Sequence, residues 1–402
     1  VGFLDNVLRL RPNERAAEPK ASRAKRDKPA AAKPAPDAPA SAGVERSRPN
    51  ADSDARAGAR TALLPQKAKP GRAAVHEPTV TRAPVPRDEL EAKHRRLRGK
   101  LDPPTDAKPP KGVRVRTQDD GTRVVSINIH QAVPGGVDLD RRSQDIDALR
   151  DVAAYVNSVD PDVVAVQEVN DHRGKSGVAS QASVLYHLLD ADAMAFTPAL
   201  GHEGYEADPE REYGTATYVR NGYSIEQAHD VDLPNDRGRV EDRSAGVVVV
   251  ASPEGERTTV VNAHLTSGKD DAAVRRNQLM HLSGIVDSIR TDGSFEYNDA
   301  ITEHVERASG LPEDVILLGD LNARRPSNSN IEEILEGAGL VHAADDPAGG
   351  SDFDDEIDHV LRSDGLRATD YDVLEIPNDS LDDDAGTPTD HPMVVADITR
   401  RR

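Results

Sequence analysis

From Arg123 onward, short apolar runs recur, and each ends on a polar residue. The clearest is Val315–Asn322, Val-Ile-Leu-Leu-Gly-Asp-Leu-Asn. Its four apolar residues, led by two β-branched ones, predict a strand buried on both faces. Gly319 then allows a tight exit. Asp320 and Asn322 stand two apart, the spacing that puts extended side chains on one side. Taken alone, the same letters also spell an Asp/Asn turn after a core strand.

Further strands are expected at Arg123–Ile129 (paired with Val113 and Val115 around an Asp119-Asp120-Gly121 turn), Val163–Val166 terminating at Gln167-Glu168, Thr215–Arg220, Ala245–Ala251, Thr258–Ala263 ending in His264, Ile357–Leu361 and Met393–Ile398. A period near 3.6 predicts four helices. In Leu139–Val159, Ile146, Leu149, Val152, Ala153 and Val156 share a face, and Ser143 or Asp140 is placed to cap it. The others are Ser180–Leu189, Ala272–Ile289 and the short Asn330–Glu336, with a polar insertion before the Val315 strand. Strands outnumber helices, which suggests stacked sheets with helices outside, an α/β architecture. No phosphate loop or Gly-x-Gly-x-x-Gly motif points to a nucleotide fold.

Charge divides the chain. Residues 1–118 hold 27 Lys+Arg against 14 Asp+Glu, whereas the remainder holds 24 against 57. The arm is rich in Ala, Pro, Lys and Arg and too poor in apolar side chains to offset chain entropy. Residues 1–110 are therefore expected to be a disordered basic arm, and 111–402 the folded domain. Within the arm, Gly2–Leu10 is weakly amphipathic and Arg87–Lys100 is helix-permissive. There is no cysteine, which removes disulfides, thiolate metal sites and thiol nucleophiles. No transmembrane run or secretion signal is visible, so a cytoplasmic location is the default expectation.

Six strand ends carry polar residues that a core does not need: Asn128, Glu168, Asn262/His264, Asp320/Asn322, Asp358/His359 and Asp390/His391. Any one is an ordinary capped turn; six together point to a site. Carboxylates and amides without thiolate make a hard-oxygen donor set, suited to Mg²⁺, Mn²⁺ or Ca²⁺ rather than zinc.

The ordered set Ser126-Ile-Asn128, Gln167-Glu168, Glu212-Tyr-Gly214, Asp242-Arg243-Ser-Ala245, Asn262-Ala-His264, Gly319-Asp-Leu-Asn322, Ile357-Asp358-His359 and Thr389-Asp390-His391 resembles the endonuclease/exonuclease/phosphatase superfamily, with its deoxyribonuclease-I-like fold. The resemblance spans Val113 to Arg402 and leaves the arm uncovered. It implies a four-layer αββα sandwich with its site at one edge of both sheets, and divalent-metal-dependent hydrolysis of a phosphate ester. By the same resemblance Glu168, Asn128 and Asp390 hold the metal, Mg²⁺ or Mn²⁺. Asp320 and Asn322 orient water and phosphate, His391 is the acid/base, Asp358 fixes its tautomer, and His264 contacts the phosphate. Arg243 is a phosphate clamp and Asn262 a substrate-side support, although an exposed loop arginine explains Arg243 as simply. Glu212 and Tyr213 stand behind these groups, His359 is structural or at the rim, and His130, His172, His187, His202 and His281 are set aside.

The substrate is less legible. An acidic body argues against a broad nucleic-acid surface, since phosphate neutralisation by Lys and Arg dominates that affinity. The basic arm could supply the field instead, to nucleic acid or to an anionic surface. Lys269, Arg275/Arg276 and Arg324/Arg325 are the few cations near the motifs, and with no Trp and four Phe no lipid-inserting hairpin is apparent. A nuclease-like phosphodiesterase is the leading expectation. The alternatives are an inositol-phosphate or sphingomyelin phosphoesterase and a catalytically silent binding module. Oligomeric state leaves no mark on the sequence.

Overall fold

Alternation of side chains along the central strands organises the whole domain. A computed structural model describes residues 83–104, 121–132, 146–172, 180–199, 211–235, 241–268, 271–299, 304–324, 329–346, 357–376, 389 and 391–401. All lie in the unit Pro70–Arg402. In β1 (Thr122–Asn128), Val125 and Ile127 face one hydrophobic cluster while Val124 faces another. Such two-sided burial is what the apolar runs demand, and it requires a layer on each side.

The first sheet has the order β13 (Leu366–Leu374), β14 (Met393–Arg400), β1, β2 (Val163–His172), β4 (Arg211–Val219), β3 (Ala193–Ala199). The second runs β11 (Leu340–His342), β12 (Asp358–Ser363), β10 (Val315–Asp320), β7 (Arg257–His264), β6 (Ser244–Ala251), β5 (Ser224–Asp232). Their facing sides share a core built from Val124, Val163, Val248, Val260, Ile316, Leu318, Val360 and Val394. Helices α2 (Ile146–Ser158) and α3 (Gln181–Leu188) cover the outer side of the first sheet, and α4 (Ala272–Asp292) and α5 (Ser329–Gly337) that of the second. The result is the expected αββα sandwich. A separate hairpin, β8 (Ser294–Asn298) with β9 (Val305–Ser309), follows α4. Among the described residues, no helix is long and apolar enough to cross a membrane.

Two parallel pairs, β1 with β2 and β7 with β10, lie at the centres of their sheets. Their carboxyl ends therefore emerge at one edge of each sheet. The antiparallel neighbours β12 and β14 start at that edge, and Asp320 lies directly opposite both His264 and Asp358 in register.

The structure corrects the sequence reading in several places. Packed structure starts well before residue 111. Helix α1 (Arg87–Lys93) and the residues after it bury Leu90, Leu97 and Leu101 in the outer core of the first sheet. Their charged context had masked three well-spaced leucines. Strand β2 does not stop at Glu168 but continues to His172 through a bulge between Val166 and Val169. The polar insertion contains β8 and β9. Strands β3, β5, β11 and β13 carry weak signals: β3 includes Pro198, tolerated on an edge strand, and β13 has a register shift at Ala368/Asp370 that breaks the two-residue period. Residues 105–120, with Asp119 and Asp120 of the expected turn, and the caps Asp140 and Ser143 lie outside the described residues.

Leu101 is fully buried in this cluster. Leu101→Ala should destabilise the domain by about 2–4 kcal/mol, read as a lowered urea midpoint with unchanged slope. An unchanged midpoint would show that the segment does not belong to the core.

Candidate active site

Parity carries polar side chains to the end of the gap between the sheets. Asn128 follows Val124 and Ser126 on the inner side of β1. His264 follows Val260 and Asn262, Asp320 follows Ile316 and Leu318, and Asp358 lies two before Val360. Each is the last inner-facing position of an apolar row. Glu168 has the wrong parity, since Val164, Val166 and Val169 face outward. The β2 bulge corrects this. Glu168 takes φ 58°, and it and the preceding Gln167 both point to the inter-sheet side.

The six strand-end groups meet. Asn128 Nδ2 donates to Glu168 Oε1 at 3.1 Å and to Asp320 Oδ2 at 3.0 Å. His264 Nε2 lies 3.4 Å from Asp320 Oδ2 and 3.9 Å from Glu168 Oε1. His391 Nδ1 is 2.8 Å from Asp358 Oδ2, and its Nε2 is 3.8 Å from Asp320 Oδ2. Among these side chains Glu168 and His391 reach solvent, 18 % and 15 % exposed, whereas Asp320 and Asp358 are buried.

Donor rules fix several orientations. The His130 backbone N–H can only donate, and it meets Asn128 Oδ1 at 2.9 Å. The Asn128 oxygen is thereby turned away from the carboxylates. In this orientation the Asn128 amide donates to two acids and clamps them together. Asp358 accepts from His391 Nδ1–H, so Nε2 is the ring nitrogen that faces Asp320, and it offers a lone pair there whenever the ring is neutral. Asp320 Oδ1 accepts the Asn322 backbone N–H at 2.8 Å, and Asn322 Nδ2 donates to Leu265 O at 2.9 Å, joining the turns after β10 and β7. Gly319 makes this turn possible: its φ is 144°, and a Cβ there would collide with Ala263 O.

Two expected substrate contacts lie deeper than foreseen. Asn262 is fully buried, with its amide on Gln167, Ala216 O and Thr217, so it ties the sheets together and does not face a substrate. Arg243 is buried against His264 Nδ1 at 2.9 Å, Tyr213 and Glu241. His359 is also buried, between Ala323 O and His342, and is structural rather than at the rim. Asp390, Lys269 and Arg325 lie outside the described residues. Arg275 donates to Thr266 O and Gly268 O. The sequence reading assigned no role to Gln167 or Thr389. The Thr389 hydroxyl donates to Asn128 O and accepts from His391 N, linking the β1 end to His391. The available signal was a polar residue inside a motif whose neighbours carried the attention.

Burial, and next to it the charge of Asp358, pushes the Asp320 carboxyl up to about 7; His391 and the donors Asn322 N–H and Asn128 oppose this. Burial, then Arg243 and His391, holds His264 well below the usual imidazole range. Tyr213 is raised, chiefly by burial.

Residues 126–391 match the endonuclease/exonuclease/phosphatase family. The chain belongs to that family. No curated protein matches the chain. Among solved structures it is similar to an endonuclease/exonuclease/phosphatase from Beutenbergia cavernae (24 % identity, TM-score 0.47, 69 % of this chain and 71 % of that one). It is also similar to the human Nocturnin catalytic domain with bound sulfate (16 %, 0.49, 70 % and 93 %) and to the mannosyl-6-phosphatase Bt3783 of Bacteroides thetaiotaomicron (16 %, 0.47, 69 % and 100 %). Family members are hydrolytic phosphoesterases, generally dependent on a divalent metal.

The donor set fits such a cation. Glu168 Oε1 and Asp320 Oδ2 converge on one amide nitrogen, and Asp320, Asp358 and His391 present ligand atoms within 4.8 Å of one another. Buried carboxylates of one sign are costly unless neutralised, and hard oxygen donors favour Mg²⁺ or Mn²⁺ over softer metals.

The raised Asp320 carboxyl makes a pH prediction for the chelated protein. The native state holds a proton that the unfolded chain releases near 4, so this group's contribution to stability falls as pH rises from about 4 to about 7. Asp320→Asn should therefore match wild type near pH 4 and exceed it above pH 7, by on the order of 4 kcal/mol. Urea unfolding in EDTA at both pH values tests this, and a constant difference would refute the raised carboxyl.

Proposed function

We propose that the chain hydrolyses a phosphate diester in a nuclease-like reaction. The observation that carries this reading is the 3.8 Å separation of His391 Nε2 from Asp320 Oδ2. It is too long for a direct hydrogen bond, and both atoms can reach one water lying to the side of the line between them. His391 offers a lone pair there because Nδ1 is committed to Asp358. Asp320, held by Asn128 and the Asn322 N–H, orients the same water. Water oxygen attacks phosphorus, His391 Nε2 takes its proton, the bond from phosphorus to the leaving oxygen breaks, and that oxygen gains a proton from solvent.

Glu168, with Asp390, would hold the cation, Mg²⁺ or Mn²⁺. The cation would offset charge on the phosphoryl oxygens. Asp358 keeps His391 in one tautomer and supports its imidazolium after proton uptake.

Wild type with Mg²⁺ or Mn²⁺ should cleave bis(p-nitrophenyl) phosphate, with the activity lost in EDTA. Glu168→Ala and His391→Ala should each lower kcat by about 10²–10⁴-fold while their unfolding midpoints stay near wild type. Equal rates in all three proteins would overturn the site assignment, and an inactive wild type across several divalent metals would favour a binding module. Supercoiled plasmid, RNA, inositol phosphates and sphingomyelin assayed in parallel separate the substrate classes. EDTA-sensitive plasmid nicking or RNA cleavage supports the nuclease reading, and release from inositol phosphate or lipid alone rejects it.

A further inference from the structure

Arg243 makes a contact that the hydrolytic scheme leaves unused. One guanidinium nitrogen lies 2.9 Å from His264 Nδ1 and 3.5 Å from the Tyr213 hydroxyl. The other terminal nitrogen pairs with Glu241 at 2.9 Å. The Tyr213 ring sits below the guanidinium, 6.0 Å from its carbon. The Arg243 and His264 side chains are both buried, 6 % and 4 % exposed.

Guanidinium has no acceptor, so a short contact to an imidazole nitrogen requires that nitrogen to be bare. His264 Nδ1 therefore accepts, and the ring proton sits on Nε2. The far side of the ring agrees independently. Nε2 faces Asp320 Oδ2 at 3.4 Å and Glu168 Oε1 at 3.9 Å, oxygens that accept when ionised. His391 has the opposite arrangement, with Nδ1 donating to Asp358 and Nε2 bare. One site thus holds one imidazole that can only donate toward the reacting centre and one that can accept.

We propose that Arg243 is a positioning residue that locks His264 in the Nε2–H tautomer, making it a fixed hydrogen-bond donor to a phosphoryl oxygen of the substrate. Its role in turnover rests on the phosphodiester reading above; its structural half does not. The lock replaces the expected clamp. Glu241 and Tyr213 hold the guanidinium inside the protein, so Arg243 acts on phosphate through the imidazole. In this arrangement His264 cannot take the proton of the attacking water, which leaves that task to His391.

The test joins a spectrum to kinetics. In ¹⁵N-histidine protein, the His264 signals, assigned by their loss in His264→Gln, should show a bare Nδ1 and a protonated Nε2. A protonated Nδ1 or a mixture of tautomers in wild type overturns the proposal, whatever the activity. Arg243→Met should mix the tautomers and lower kcat on bis(p-nitrophenyl) phosphate by ~30-fold, less than the about 10²–10³-fold for outright loss of an oriented donor because part of the ring population keeps its Nε2–H, with KM changed less than about 3-fold. Arg243→Lys, which restores a donor, should recover the Nε2–H spectrum and most of kcat. A raised KM with unchanged kcat in Arg243→Met would make Arg243 a phosphate clamp and reject the lock. Should Arg243→Met fail to fold, the wild-type and Arg243→Lys spectra decide. A wild type that turns over no phosphodiester but shows the Nε2–H ring would reject the function and keep the lock.

Discussion

The arrangement depends on keeping a carboxylate where water is nearly absent. Asp320 ends a strand buried on both faces, and its side chain is 2 % exposed. Such a charge is tolerated only if hydrogen bonds and opposite charge replace the lost hydration. The structure surrounds it with the Asn128 amide, the Asn322 N–H and two imidazoles. Each comes from a different strand end, so the sandwich must be assembled before the site exists. The same demand explains the local backbone: Gly319, Asn322 and Glu168 all take positive φ at or beside this carboxylate. Such conformations persist where the surroundings over-determine them.

Much of the fold was legible because its central strands obey simple parity. Val-Val-Ser-Ile-Asn and Val-Ile-Leu-Leu-Gly-Asp announce two-sided burial and place a polar residue at the exit. Convergence of Asn128, His264, Asp320 and Asp358 follows once the strands are stacked in two sheets. What the letters concealed were departures from regularity. Glu168 reaches the site only through a bulge, whose position depends on the pairing of β2 with β4. The direction of the Asn128 amide depends on one backbone N–H at His130, a residue set aside because its side chain matched nothing. Edge strands such as β5 and β13 bury one face incompletely and lose the clean period that a central strand displays.

Asn262 and Arg243 show a further limit of reading by position. Both stand in motifs, and a motif locates a residue near a site without saying which way it faces. Asn262 shares the parity of His264 but lies one step deeper, where the sheets meet, so it bonds across the gap to Gln167. Arg243 precedes β6, where its side chain turns under His264 and toward Tyr213. The physics that makes guanidinium a good phosphate ligand, an acceptor-free fork of donors, is what lets it dictate an imidazole tautomer.

This use of arginine bears on substrate. Arg243 is committed to His264, Tyr213 and Glu241, and Arg275 to the carbonyls of Thr266 and Gly268. Two of the cations expected to meet phosphate therefore serve the framework. In a body whose acidic side chains far outnumber its basic ones, the attraction holding an anionic substrate then falls on few groups near the reacting centre. Affinity of that kind depends on one phosphate being gripped well rather than on many being neutralised, and it carries a shallow salt dependence.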